Sequence, residues 1–291
     1  MSTARPSTAS LPATTRMGAV HLTVADLERS LAFYRESVGL AVIEREDGHA
    51  VLGTGGTGLL GLEERPGARP VRNAAGLYHF ALLVPERVDL ARWLVHAGRS
   101  GVPLVGMSDH FVSEAIYLAD PDGHGIEIYH DRPREVWEGL VAARMTTGPL
   151  DVPDLLSELD GPATVDFDGL PAGTEMGHVH LQVADLGSSI AFYRDVLGFD
   201  LMGELFGSAA FLSAGGYHHH VGANTWHSLG AAPPPEGAAG LRHATIVLPD
   251  RPERDLAAAR VADAGQETEA REDGVVVTDP SGIKLLLLAP A

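Results

Sequence analysis

The sequence predicts an α+β protein made of four βαβββ modules, arranged as two tandem domains with curved mixed sheets. Three observations predict it. A segment near the N-terminus returns 159 residues later, as GAVHLTVADLERSLAFYRESVGL (18–40) and GHVHLQVADLGSSIAFYRDVLGF (177–199). A weaker second unit follows the first in each half, at 76–130 and 240–288. Each unit runs from an alternating apolar stretch through one helical stripe to short strands broken by glycine-rich turns.

The elements follow in order. VHLTV and VHLQV alternate across a strand, so each histidine stands on the face opposite its two neighbours. Asp26 and Asp185 are placed as helix N-caps, where a short carboxylate accepts an orphan backbone N–H. Leu27, Leu31, Phe33 and Tyr34 supply the buried stripe, and Gly39 and Gly198 stand where a helix ends in a left-handed residue. The second units open on GLYHFALLVP and GLRHATIVLPD and close on AIYLADPDGHGIEIYH and GVVVTDPSGIKLLLL, each with a D-P-x-G turn. The predicted boundaries are a disordered tail at 1–16, a first domain at 17–131 (modules 17–65 and 76–131), a linker at 132–175, and a second domain at 176–291 (modules 176–229 and 240–289). The proline-rich linker carries a short helix around Val136–Arg144.

Composition narrows the function. With 21 basic and 39 acidic side chains, the net charge of −18 argues against nucleic acid or anionic membrane as a partner. The absence of cysteine excludes thiolate catalysis and Cys-ligated metal sites, and fits a cytoplasmic protein. No apolar run reaches membrane-spanning length, and residues 1–16 lack the apolar centre of a signal peptide.

The repeated strand histidine, the phrases GLYHFALLVP and DPDGHGIEIY, and the block SAGGYHHHVGANTW together resemble the vicinal oxygen chelate superfamily. This superfamily includes glyoxalase I, bleomycin- and fosfomycin-resistance proteins and extradiol dioxygenases. Within it the chain is most similar to two-domain catechol 2,3-dioxygenases. The resemblance covers about 17–131 and 176–289. It implies cup-shaped sheets that hold one metal ion on ligands from the first and last strands of two modules.

Four histidines stand on first strands, His21, His79, His180 and His243, and one carboxylate stands on a last strand, Glu127. The fourth module shows Lys284 where Glu127 would fall, and a protonated lysine does not ligate a cation. The expected ligands are therefore His79, His180 and Glu127, with His21 as the alternative third. His180 pairs modules two and three, and His21 pairs one and two. In the family the catalytic module carries His, His, Tyr and Glu in the order met here at His79, His110, Tyr117 and Glu127. The partner module carries a last-strand histidine, which points to the run 218–220.

Two histidines and a carboxylate on one face of a metal, with open positions opposite, suit a non-haem Fe(II) oxygenase. The resemblance thus implies Fe(II), with Mn(II) as alternative and Zn or Ni behind it, acting on a small aromatic diol and O2. His220 is the expected acid–base, with His218 beside it on one strand face and His219 turned away. His110 and Tyr117 would hydrogen-bond the bound oxygens, and Phe111, Asn224 and Trp226 would line the ring pocket. Two other functions compete: a glyoxalase-like lyase or isomerase, which usually takes a fourth ligand such as a second glutamate, and a metal-free protein that binds a small molecule. Superfamily members often associate through sheet edges or modules, so a homo-oligomer is compatible with the resemblance.

Overall fold

The computed structural model describes residues 10–159 and 166–290. The first module is β1 (Arg16–Val24), α1 (Leu27–Phe33) with a π turn at Tyr34–Val38, β2 (Ala41–Glu46), β3 (His49–Thr54) and β4 (Thr57–Glu64). The second is β5 (Gly76–Leu83), α2 (Arg87–Ser100), β6 (Leu104–Asp109), β7 (Ser113–Ala119) and β8 (Gly125–Asp131). The linker forms α3 (Arg134–Trp137), α4 (Val141–Arg144) and α5 (Val152–Leu156). The third module is β9 (Glu175–Gln182), α6 (Leu186–Ile190) with a π turn at Ala191–Leu197, β10 (Asp200–Leu205), β11 (Ala209–Ser213) and β12 (Val221–Asn224). The fourth is β13 (Gly240–Val247), α7 (Arg251–Asp263), β14 (Thr268–Ala270), β15 (Gly274–Thr278) and β16 (Lys284–Leu288). The predicted caps are present: Asp26 and Asp185 accept the backbone N–H of Arg29 and Ser188, and Gly39 and Gly198 are left-handed.

The modules pair crosswise. One eight-stranded sheet runs β14-β15-β16-β13-β1-β4-β3-β2, and the other runs β10-β11-β12-β9-β5-β8-β7-β6. Modules one and four meet through antiparallel β1 and β13, and modules two and three through antiparallel β5 and β9. Each half of the sequence therefore gives one module to each sheet.

The recurring motifs explain how each half holds together. The tyrosine of the first A-F-Y-R motif, Tyr34, is fully buried and donates to Asp120 of the D-P-D-G turn, at 2.9 Å. Tyr193 does the same for Asp279, at 3.0 Å. A buried hydrogen bond to a charged group contributes about 1.5–3 kcal/mol, and it joins neighbouring modules that share no sheet.

Two expectations change here. Residues 1–9 of the expected tail lie outside the described residues, but Leu11 is buried and its N–H reaches the Gly198 carbonyl, so the ordered chain begins before β1. The linker is not a bare connector either, because Trp137, Val141 and Leu155 are buried.

Candidate metal centre

Strand register builds the site. Across the second sheet one row of side chains reads Tyr117, Glu127, Ala81, His178. Ala81 has almost no bulk, so the long side chains of Glu127 and His178 lean together over it. The next row reads Gly125, His79, His180, Gly222, with two imidazoles between two glycines. A Cβ on Gly222 would lie 2.8 Å from Cγ of His180, so the glycine is what admits that ring. Gly222→Ala should therefore lower the thermal midpoint, by the equivalent of about 1–3 kcal/mol of overpacking.

Nε2 of His79 lies 3.0 Å from Oε2 of Glu127, and Nε2 of His178 lies 3.1 Å from the same oxygen. The three donor atoms fall within 4.8 Å of one another, and all three residues are buried. His178 makes a hydrogen bond with the carboxylate, but His79 Nε2 has no hydrogen bond despite its short distance. Buried polar atoms are rarely left this way. Burial alone would raise the Glu127 pKa, yet the neighbouring His178 and His79 hold it well below the usual carboxylate range. An ionised carboxylate and two imidazoles that converge on one point fit a divalent metal ion of the borderline kind.

The tight set takes His178 in the place where the sequence suggested His180. His180 stands one row away and its Nε2 has no partner. Its ring packs among His79, Tyr78, Trp226 and Phe211, at centroid distances of 5.1, 5.4, 5.5 and 5.9 Å. The register explains the difference. A shift of 99 residues carries His79 onto His178 and Val84 onto Val183, exchanges the β5–β9 pairs in twos and leaves Phe80–Val179 on itself. The twin of His79 is thus His178, and the twin of His180 is Ala81. The 99-residue match HxxxxV was present in the sequence, but the stronger 159-residue match set VHL on VHL and hid it.

The histidine run also departs from expectation. It lies in the seven-residue connection 214–220 between β11 and β12, so strand alternation does not apply. His219 lines the cavity, its ring 4.1 Å from that of His178. Burial, with His178 and His218 nearby, pushes the His219 pKa well below the ordinary histidine value. His220 points elsewhere: its Nδ1 accepts the Ala214 N–H at 3.1 Å, and its ring packs on Tyr217. His218 is enclosed, bonded to His219 and to Asp131, each at 2.8 Å.

The other expected residues divide. Tyr117 and His110 line the cavity and bond to each other at 2.7 Å, and His110 Nδ1 donates to the Thr146 carbonyl at 2.7 Å. That donation leaves Nε2 to accept from the Tyr117 hydroxyl. Trp226 lines the cavity. Asn224 does not; it accepts the Trp226 N–H and so orients that residue. Phe111 is also absent from the wall. It has a φ of 69°, and its ring packs beside Trp137 and Val141 under the Arg144 guanidinium, 4.2 Å away. Tyr78, Phe211 and Leu205 complete an apolar wall around about 540 Å³.

The other sheet shows what the same frame becomes without ligands. His21 and His243 are directly opposite and stack at 4.2 Å. By register the counterpart of His178 is Ala19 and that of Glu127 is Leu286. Lys284 falls opposite His243, in the place of Gly125, two residues from the expected one: the two turns are equally long, with Gly125 and Lys284 each five residues after Asp120 and Asp279, and matching G-I-K to G-I-E slips the strand by two. His21 therefore stands away from Glu127, in the sheet that has lost the carboxylate.

Burial, with His49 and Arg242 nearby, lowers the His21 pKa to about 4. Burial, with His21 and then Arg271 nearby, lowers that of His243 to about 3. Both rings fold neutral, so their stabilisation is complete above the unfolded value of 6.5 and is lost as pH falls toward 4 and 3. The pair should cost roughly 2–3 kcal/mol per pH unit between pH 6 and 5. Denaturant titrations of wild type and His243→Asn check this, with a shallower pH slope expected in the variant.

The sequence profile of the Glyoxalase/Bleomycin resistance protein/Dioxygenase superfamily matches residues 16–128 and 175–287. A protein of Bacillus subtilis (strain 168) named catechol-2,3-dioxygenase is 46% identical over 274 residues, spanning 91% of this chain and 94% of the relative. A solved B. subtilis subsp. subtilis str. 168 protein, provisionally named a dioxygenase, superposes with a TM-score of 0.67 at 15% identity, over 97% of this chain and 86% of that one. Glyoxalase I from Zea mays superposes with a TM-score of 0.59 at 17% identity, over 95% and 92%. These superpositions establish the shared fold. With the profile matched in both halves and a close relative along most of its length, the chain belongs to the glyoxalase/bleomycin resistance/dioxygenase superfamily and carries two copies of its domain.

Proposed function

We propose that the chain is a metal-dependent extradiol dioxygenase that cleaves a catechol-type ring with O2. The observation that carries this reading is the buried His79–His178–Glu127 set on the floor of a cavity walled by Tyr78, Phe211 and Trp226. The 46% identical relative named catechol-2,3-dioxygenase supports the same substrate class.

His79, His178 and Glu127 would hold Fe(II), with Mn(II) as the alternative. When bound, the metal supplies Lewis acidity toward a hydroxyl and the electronic means to engage O2. The protein's own residues do the rest. The aromatic wall holds the flat ring and excludes water. His219, neutral and beside His178, accepts the proton of a substrate hydroxyl and returns it later in the reaction. Tyr117, anchored by His110, directs its polar edge toward oxygens gathered near Glu127.

One observation separates this reading from the glyoxalase kind. The place related to Glu127 in the partner module is Gly222, filled by the His180 ring, so a second glutamate does not stand there. Two buried imidazoles converging on one buried, ionised carboxylate argue against a metal-free binder.

Protein purified without oxygen should contain close to one Fe or Mn per chain. Addition of catechol and air should give a yellow ring-cleavage product with uptake of O2. Zinc or nickel in the site with no oxygen uptake would sink the proposal.

A further inference from the structure

We propose that Asp131 and His218 are positioning residues that lock the cavity histidine, His219, in one tautomer. This rests on the role given to His219 above and deepens it. Asp131 closes β8, and its Oδ1 lies 2.8 Å from Nε2 of His218. Nδ1 of His218 lies 2.8 Å from Nδ1 of His219. A carboxylate can only accept, so His218 Nε2 carries the proton. With one proton on the His218 ring, held at Nε2 by Asp131, Nδ1 presents a lone pair and His219 donates to it from its own Nδ1. The remaining nitrogen of His219, Nε2, keeps a lone pair and bonds to no protein group among the described residues. The direction of the whole chain is set by the acidic end. A base with its lone pair already aimed needs no rearrangement before it accepts a proton.

Two further features point to a built device. The His218 ring is sealed from solvent between Tyr217 and Trp137, with centroids 4.0 and 5.5 Å away. Tyr217 in turn bonds Tyr129 at 2.8 Å. The connection that carries the relay is longer than its counterpart in the repeated first module: β3 and β4 are joined through Gly55 and Gly56 alone, whereas β11 and β12 are joined by residues 214–220. The added residues occur in the module that meets Glu127, and the repeated first module, which does not meet it, lacks them.

The first test needs no variant. In metal-free full-length protein labelled with 15N-histidine, His219 should show one tautomer, protonated at Nδ1 and pyridine-like at Nε2. Mixed tautomers in the wild type would overturn the proposal, whether or not the chain cleaves catechol. In His218→Phe, which keeps a ring between Tyr217 and Trp137, the two tautomers should average. Its kcat should fall by roughly 10²-fold, the lower end of what a positioned base contributes, with KM and metal content within about twofold. Asp131→Asn keeps an acceptor oxygen and should lose less than Asp131→Ala. A His218→Phe enzyme with kcat within about twofold of wild type would also overturn the proposal. A locked tautomer in a chain that never cleaves catechol would instead refute the proposed reaction and leave the relay standing.

Discussion

Glu127→Gln should give a folded protein that no longer retains its metal. The substitution keeps the side chain's shape on β8 between Ile126 and Ile128 and removes its charge. The wild-type carboxylate stays ionised although it is buried, because His178 and His79 flank it. A neutral amide offers a weaker oxygen to a dication and leaves two neutral imidazoles as its only other ligands. Loss of a residue that merely supports a ligand weakens binding by about 10- to 100-fold, so loss of the ligand itself should exceed that. The check is metal per chain after dialysis, with circular dichroism as the control for folding. Ring cleavage should vanish with the metal. Because His178 and His79 hold the wild-type carboxylate ionised, its charge stabilises the metal-free fold at neutral pH, and the metal-free variant should melt lower than metal-free wild type. A variant that keeps a full complement of metal would show that the carboxylate is not a ligand.

The second large effect separates two histidines on one strand face. His178→Ala should lose the metal, and His180→Ala should keep it. Nε2 of His178 is 3.1 Å from Oε2 of Glu127, whereas His180 lies outside the set that converges there. His180→Ala should instead raise KM, because the ring that fills the space over Gly222 and touches Trp226 and Tyr78 is gone. It should also lower stability by about 2–5 kcal/mol, as large core truncations do. His21→Ala, in the other sheet, should leave metal content unchanged. Metal analysis of the three variants side by side decides the matter. Retention by His178→Ala with loss by His180→Ala would reverse the assignment.

The architecture was legible because repetition is a sequence property. The 159-residue return, the N-caps at Asp26 and Asp185 and the D-P-x-G turns each have a local physical cause, and the structure keeps them all. Glu127 and His79 were legible for a similar reason: a carboxylate within an apolar strand needs a partner. His178 was harder to find, since its position depends on which residue of β9 lies opposite Ala81, and that is a matter of register between distant strands. His219 was missed because alternation was applied to residues that form a loop. Phe111 was misplaced because its positive φ, in a turn closed by Asp109, throws the ring onto the linker helices.

The crosswise sheets also set a timetable for the growing chain. β5 cannot find its central neighbour until β9 is made, and 99 residues separate Gly76 from Glu175. β1 waits longer still for β13. Until then the first half presents two unpaired strand edges, the feature most prone to wrong association during synthesis. Such long-range pairings make folding slow compared with a protein of local contacts. His79 and Glu127 emerge well before His178, so a firmly held metal would mark the moment at which the two halves have interlocked.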